Sequence, residues 1–352
     1  MAINPVFMRF SFSTFQIGRV RLPHIIRLTA LAAGFLGLLP GCSDDDEGDI
    51  IMPPVMTPAR ISVPQAALHP EGIQWDEANQ RFIVSSRTKG FISTVRDDST
   101  FAQLADNANL ISTIGVNLDA GRNRVLVAVS DMGANTARST AASLRKRAGL
   151  AIFNNTTGTL LNYVDLVGSL PATTAAAYPN HFANDIAVDA AGNAYVTDSS
   201  APIIYKVDAQ GAASVFLTSP QFDAGTAFGL NGIVYHPDGY LIVAKANTGT
   251  LFKVPIANPT SFTTITNAAG LSLTGADGLL LTDPQTLLLV SGSQSTVYRL
   301  NSTDAWANVR STGTFATGAV SPTTITKRGT DAYVLYPYTA TAPRFKIVKV
   351  SF

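Results

Sequence analysis

The chain has 352 residues, with 25 Lys and Arg against 24 Asp and Glu and a formal net charge of +1, so it lacks the basic excess of a nucleic-acid-binding or polybasic membrane-binding protein. Its one cysteine, Cys42, excludes an intramolecular disulfide.

Residues 1–41 contain no Asp or Glu but include Arg9, Arg19, Arg21 and Arg27, and they end in the apolar run "LTALAAGFLGLLPG" at 28–41. That run is short for a bilayer span and suits the core of a secretory signal peptide, so residues 1–41 are expected to be removed. Cys42 follows directly. With Leu39 three positions before it and Gly41 adjacent, the segment resembles a bacterial lipoprotein lipobox, although Pro40 stands where a small or β-branched residue is usual. The resemblance implies an exported cell-envelope lipoprotein, facing the periplasm or in the outer membrane, that touches the membrane through the lipid on Cys42 alone. The bland alternative is a free cysteine beside a leader. Asp44, Asp45, Asp46, Glu47 and Asp49, followed by the Pro-rich "IMPPVMTPARI", cannot bury enough apolar surface to order, and residues 42–57 read as a tether.

From residue 58 to 352 the chain repeats. Six segments share a polar and a small residue, an apolar alternation, a turn rich in Asp or Gly, and a second apolar strand. They are "EGIQWDEANQRFIVSS" from 71, "IGVNLDAGRNRVLVAVSD" from 114, "NDIAVDAAGNAYVTDS" from 184, "NGIVYHPDGYLIVAKA" from 231, "DGLLLTDPQTLLLVSG" from 277 and "TTITKRGTDAYVLYPY" from 323. The last four starts are spaced 47, 46 and 46 residues apart. Four short strands per unit, repeated six times, predict an all-β, six-bladed β-propeller. The last unit runs out of chain after "FKIVKVSF", so its outer strand is expected from "ARISV" at 59–63. The second unit carries an insertion at about 131–148, within which "NTARSTAASLRKR" at 135–147 reads as a short helix, either a surface excursion or a lid. The domain is expected to be monomeric.

Repeat position substitutes for proximity in a propeller, because the innermost strands converge on one channel. Reading down the first position of each unit gives Glu71, Ile114, Asn184, Asn231, Asp277 and Thr323. Buried carboxylates and amides need partners. No Lys or Arg stands at these six positions, so a divalent cation held by Glu71, Asn184, Asn231 and Asp277 is expected. An all-oxygen set suits Ca²⁺, with another divalent cation possible, and does not suit Zn²⁺. The competing reading is that these residues cap strands and hold channel water. Asp185 is expected to point away from the channel by strand alternation, His236 to lie at the surface in its "HPDG" turn, and His69 to be near the mouth.

The motifs "PEGIQWD", "ANDIAVDAAGNAYVTD", "LNGIVYHPDG" and "ADGLLL" resemble the senescence-marker-protein, gluconolactonase and regucalcin family and the related diisopropyl fluorophosphatase, over residues 60–352. The resemblance implies a Ca²⁺-dependent hydrolase of lactones or phosphoesters that takes a small-molecule substrate at the channel. It also implies Glu71, Asn184, Asn231 and Asp277 as ligands. Asp277 is then the first choice for the catalytic carboxylate, Glu71 the second, and His181 a further catalytic candidate. Sugar-lactone members carry an arginine where this chain has Phe182, which points to a more apolar lactone, ester or organophosphate. Thr323 and Thr324 stand where a histidine assists in some phosphotriesterase-like members. Phe182 and Thr323 are therefore expected in the substrate pocket. A non-catalytic envelope propeller that binds a protein or glycan around a structural ion is the competing class, and a metal-free strictosidine-synthase-like enzyme a third, disfavoured by the carboxylate pair.

Overall fold

The computed structural model describes residues 57–267, 270–339 and 341–352, so the expected signal peptide, Cys42 and nearly all of the tether lie outside the described residues. The described chain is built almost wholly of strands. In chain order, β1 (Arg60–Val63) is followed by one sheet of β2 (Ile73–Asp76), β3 (Arg81–Val84), β4 (Ile92–Val95) and β5 (Phe101–Ala105). A second contains β6 (Ser112–Asp119), β7 (Arg124–Ser130), β8 (Ala148–Asn154) and β9 (Leu160–Asp165). A short helix, α1 (Ala172–Ala177), precedes the third, made of β10 (Ala183–Val188), β11 (Ala194–Asp198), β12 (Ile203–Val207) and β13 (Ala213–Thr218).

Next come β14 (Leu230–His236), β15 (Tyr240–Lys245), β16 (Thr250–Pro255) and β17 (Thr263–Asn267), then β18 (Ala276–Asp283), β19 (Thr286–Ser291), β20 (Thr296–Asn301) and β21 (Asn308–Ala316). These eight form one sheet, because β17 and β21 pair in parallel at Thr266 with Asn308 and Asn267 with Val309. The last sheet holds β22 (Ile325–Arg328), β23 (Asp331–Tyr336) and β24 (Phe345–Val350), and β1 completes it from the other end of the chain. β1 pairs antiparallel with β24, from Arg60 opposite Val348 to Val63 opposite Phe345, which is the pairing expected of "ARISV".

The fold is propeller-like. The first strands of the repeats, β2, β6, β10, β14, β18 and β22, contact one another in cyclic order and close on themselves. Second strands such as "RVLVAVS" and "TLLLVS" are buried along their whole length, because each sheet is covered on both faces by its neighbours. Outer strands alternate instead, as in β21, where one edge meets solvent. Side chains from adjacent strand sets meet in apolar clusters such as the one joining Ile114, Leu126 and Ile152 to Phe182, Ile186 and Val196.

Two expectations are corrected here. Residues 135–147 form consecutive turns rather than a helix, as Thr140 and Ser143 exchange side-chain and backbone bonds that compete with helical ones. His236 is buried, 1% exposed, with its ring stacked on Tyr240 and Nε2 2.9 Å from the Pro284 carbonyl of the next strand pair. The turn that carries it is tucked between sheets, which a pattern of turn residues does not reveal.

Candidate functional site

The repeated dipeptides sit at one structural feature. In β6, β10, β14 and β18 the register with the second strand shifts across Ile114-Gly115, Asn184-Asp185, Asn231-Gly232 and Asp277-Gly278. Two residues there oppose one, which is a β-bulge, and bulges re-aim side chains. Glu71-Gly72 and Thr323-Thr324 hold the equivalent place just before β2 and β22. The second residue is small because neighbouring inner strands come closest there. A Cβ on Gly232 would lie 2.1 Å from the Asp277 carbonyl oxygen, and one on Gly278 2.6 Å from the Thr324 Cα.

Asp185 occupies this glycine position. Its carboxylate accepts the backbone N–H of Ile186 at 2.9 Å and, across to the next inner strand, that of Ile233 at 3.3 Å. It also lines the central channel, a cavity of about 230 Å³ that Gln74, Asn117, Tyr235, Leu280 and Ile325 reach from the other five inner strands. Simple alternation, which places Asp185 away from the channel, fails because the bulge interrupts it.

Glu71 and Asp277 are brought close enough to repel. The Asp277 carboxyl is pushed well above the usual range, first by burial and then by the charges of Glu71 and Asp185, while Arg87 and the side chain of Asn231 oppose the shift. Glu71 is raised by burial, with Arg87 opposing. Its Oε2 is buried without a hydrogen-bond partner among the described residues. Its backbone is held: the N–H groups of Glu71 and Gly72 donate to Ser85 Oγ at 3.2 and 2.7 Å, and Thr323 Oγ1 donates to the Glu71 carbonyl at 2.9 Å. Burial raises Asp185 to about 7, and Glu71 adds to the rise.

Asn231 thus stands beside Asp277, whereas Asn184 donates its Nδ2 to Ser199 Oγ at 2.8 Å and its amide oxygen accepts no hydrogen bond among the described residues. Arg87, from the loop after β3, faces the acids although none of the six repeat positions is basic. Its N–H donates to the His69 carbonyl at 3.2 Å, and Ser112 Oγ donates to its own carbonyl at 2.6 Å. Burial, aided by Arg87, lowers the His69 imidazole to about 4. Sequence reading missed Arg87 because it lies outside the repeat position that was compared. Among the described residues no group of three or more His, Cys, Asp or Glu side chains is arranged to hold a metal, so a cation here depends on the amide oxygens as well.

His181 is turned into the interior. Its Nδ1 lies 2.8 Å from Asp198 Oδ2 and 3.2 Å from the Tyr205 hydroxyl, and its backbone N–H donates to the Arg145 carbonyl at 2.8 Å. Asp198 and Tyr205 thus fix the ring through its Nδ1. Phe182 is 5% exposed and meets Phe228 edge-on at 5.2 Å between ring centres, so Phe228 is the aromatic face open to a ligand. Beside them, at the end where the inner strands begin, a cleft of about 120 Å³ is lined by Met132, Arg145, Asn180, Ser200, Thr226 and Phe228.

The 131–147 segment walls this cleft and is tied down. Asp131 accepts the hydroxyls of Ser139 and Ser143 at 2.8 and 2.7 Å, and Arg138 pairs with Asp106 through two bonds of 2.8 Å.

No protein-family model matches the chain, and no curated protein matches it in sequence. In structure it is similar to the major Malassezia sympodialis allergen Mala s 1, at 17% identity and a TM-score of 0.68, over 84% of this chain and 97% of that one. It is also similar to luciferin-regenerating enzyme, at 10% identity and a TM-score of 0.56, over 83% and 95%. A gluconolactonase from Xanthomonas campestris matches at 15% identity and a TM-score of 0.55, over 82% and 88%. At these identities the shared property is the propeller-like fold, and the resemblance to gluconolactonase-type propellers therefore holds in three dimensions.

Proposed function

We propose that the chain is a six-bladed propeller, with the eight-stranded sheet counted as two blades, and that it hydrolyses lactones or related esters where Glu71 and Asp277 meet, with the help of a bound Ca²⁺. The observation that carries this reading is the buried, partnerless Glu71 Oε2 beside an Asp277 whose proton affinity is raised by the same crowding. Two acids confined in this way call for a proton or a cation between them. The Asn184 and Asn231 amides supply neutral oxygens, so the set Glu71, Asn184, Asn231 and Asp277 fits a hard cation of the size of Ca²⁺. When bound, such an ion polarises a carbonyl or phosphoryl oxygen as a Lewis acid. The gluconolactonase among the structural neighbours supports the reaction class.

The chain's own residues divide the remaining work. Asp277 accepts the proton of the attacking water or attacks directly, with Glu71 the second choice. Asn231 holds Asp277 in place, and the Thr323 hydroxyl fixes the backbone of Glu71. Arg87 places positive charge at the acids without bonding to them among the described residues, where it favours a substrate oxyanion.

Calorimetric Ca²⁺ titration of residues 50–352, comparing wild type with Asp277→Asn, tests the proposal alongside turnover of aromatic lactones and esters. Binding and Ca²⁺-dependent turnover that are both lost in the variant are expected. Absence of binding at millimolar Ca²⁺ would mean that the polar ring holds water, and a non-catalytic binding role would replace the enzyme.

A further inference from the structure

We infer that the cleft beside the channel mouth is a subsite for the part of the substrate remote from the scissile bond, and that it takes a compact apolar group bearing a carboxylate. The inference rests on the hydrolase reading for the word substrate, while the ligand chemistry rests on the cleft itself. At about 120 Å³ the cleft has room for roughly four waters, less than a site for a whole drug-sized ligand, so it suits one portion of a molecule that extends toward Asn184. Ser199, which bonds Asn184, is adjacent in the chain to Ser200 in the cleft wall, so the two sites share a border.

The apolar half is visible in exposure. Only four large hydrophobic side chains stand exposed among the described residues, and one of them, Phe228 at 42% exposed, lines this cleft. Phe228 is held in place edge-on by buried Phe182, so its free face is preset.

The anionic half comes from Arg145. Its backbone is in the left-handed region at φ +61°, uncommon for a residue with a side chain, and is held there from both sides. The Arg145 N–H donates to the Asp131 carbonyl, and the Arg145 carbonyl accepts from His181, both at 2.8 Å. Arg81, Arg122, Arg124, Arg138 and Arg328 each pair with an aspartate, but the Arg145 guanidinium has no partner among the described residues. Asp131, whose carbonyl accepts the Arg145 N–H, has its carboxylate already committed to Ser139 and Ser143. A planar cation that lines the cleft together with an aromatic face and two small polar side chains, Asn180 and Ser200, suits a carboxylate on an apolar stem.

Phenylacetate and its neutral counterpart phenylacetamide are suitable probes, titrated by NMR against wild type, Arg145→Gln, Arg145→Lys and Phe228→Ala. Both altered residues are exposed, and thermal unfolding checks that each variant folds. Phenylacetate binding should weaken at least tenfold in Arg145→Gln, recover in part in Arg145→Lys and fall in Phe228→Ala. Phenylacetamide should respond only to Phe228→Ala. Equal phenylacetate binding to wild type and Arg145→Gln, or no binding to wild type, would overturn the inference. The readout is binding, so it stands or falls separately from the turnover assay on Asp277→Asn.

Discussion

At the scale of single residues, the site is organised by what each second position of the bulged pairs must fit. Glycine is used at Gly72, Gly115, Gly232 and Gly278 because the next inner strand's backbone occupies the space of a Cβ. Asp185 departs from this and binds the neighbouring strand through its carboxylate instead. The cost falls on its ionised form. With the proton affinity raised to about 7 in the folded protein, Asp185 carries a proton between about pH 4 and pH 7 that the unfolded chain has released. Stability therefore declines as pH rises through that window and stays lower above it. In the presence of a chelator, Asp185→Asn should reduce the loss of stability between about pH 4 and pH 8 by up to about 4 kcal/mol, as measured from urea midpoints. Identical pH profiles for the two proteins would show that the carboxyl is solvated in solution.

At the scale of elements, closure depends on β1, a strand of four residues whose partner lies at the far end of the chain. Ile61 and Val63 are 1% and 0% exposed and pack with Phe345 and Ile347 against Phe82. Ile61→Ala should cost about 3 kcal/mol, a value typical of a buried large-to-small change. Removal of residues 57–64 should abolish cooperative unfolding followed by circular dichroism. Full retention of folding after that deletion would mean that β1 is dispensable. The 131–147 segment teaches the opposite lesson about length. It is long enough to move, but buried Asp131 and the Arg138 pair fasten it, so it acts as a fixed wall of the cleft.

At the scale of the whole molecule, the acids at the channel join strands that are distant in sequence, so a cation held among them should stabilise the assembled domain. A ligand present at about one hundred times its dissociation constant adds about 2.7 kcal/mol, which corresponds to a rise in Tm of roughly 5 °C for a domain of this size. Scanning calorimetry with Ca²⁺ and with a chelator should show that increment in the wild type and none in Asp277→Asn. An equal rise in both proteins would place the cation elsewhere.

The propeller-like fold and the grouping of Glu71, Asn231 and Asp277 were legible in the chain because a repeat writes the same packing problem six times, and equivalent positions must converge. The outer strand taken from 59–63 was legible for a related reason, as the last repeat ended one strand short. Three features escaped. Arg87 and Phe228 enter from loops that obey no period. Asp185 reaches the channel because a bulge breaks the alternation from which its direction was read. The partners that fix the His181 ring, Asp198 and Tyr205, lie 17 and 24 positions away. Periodicity alone determined which strands surround the channel, whereas side-chain direction, charge balance and the shape of the cleft were decided by contacts between blades and loops that only the folded chain brings together.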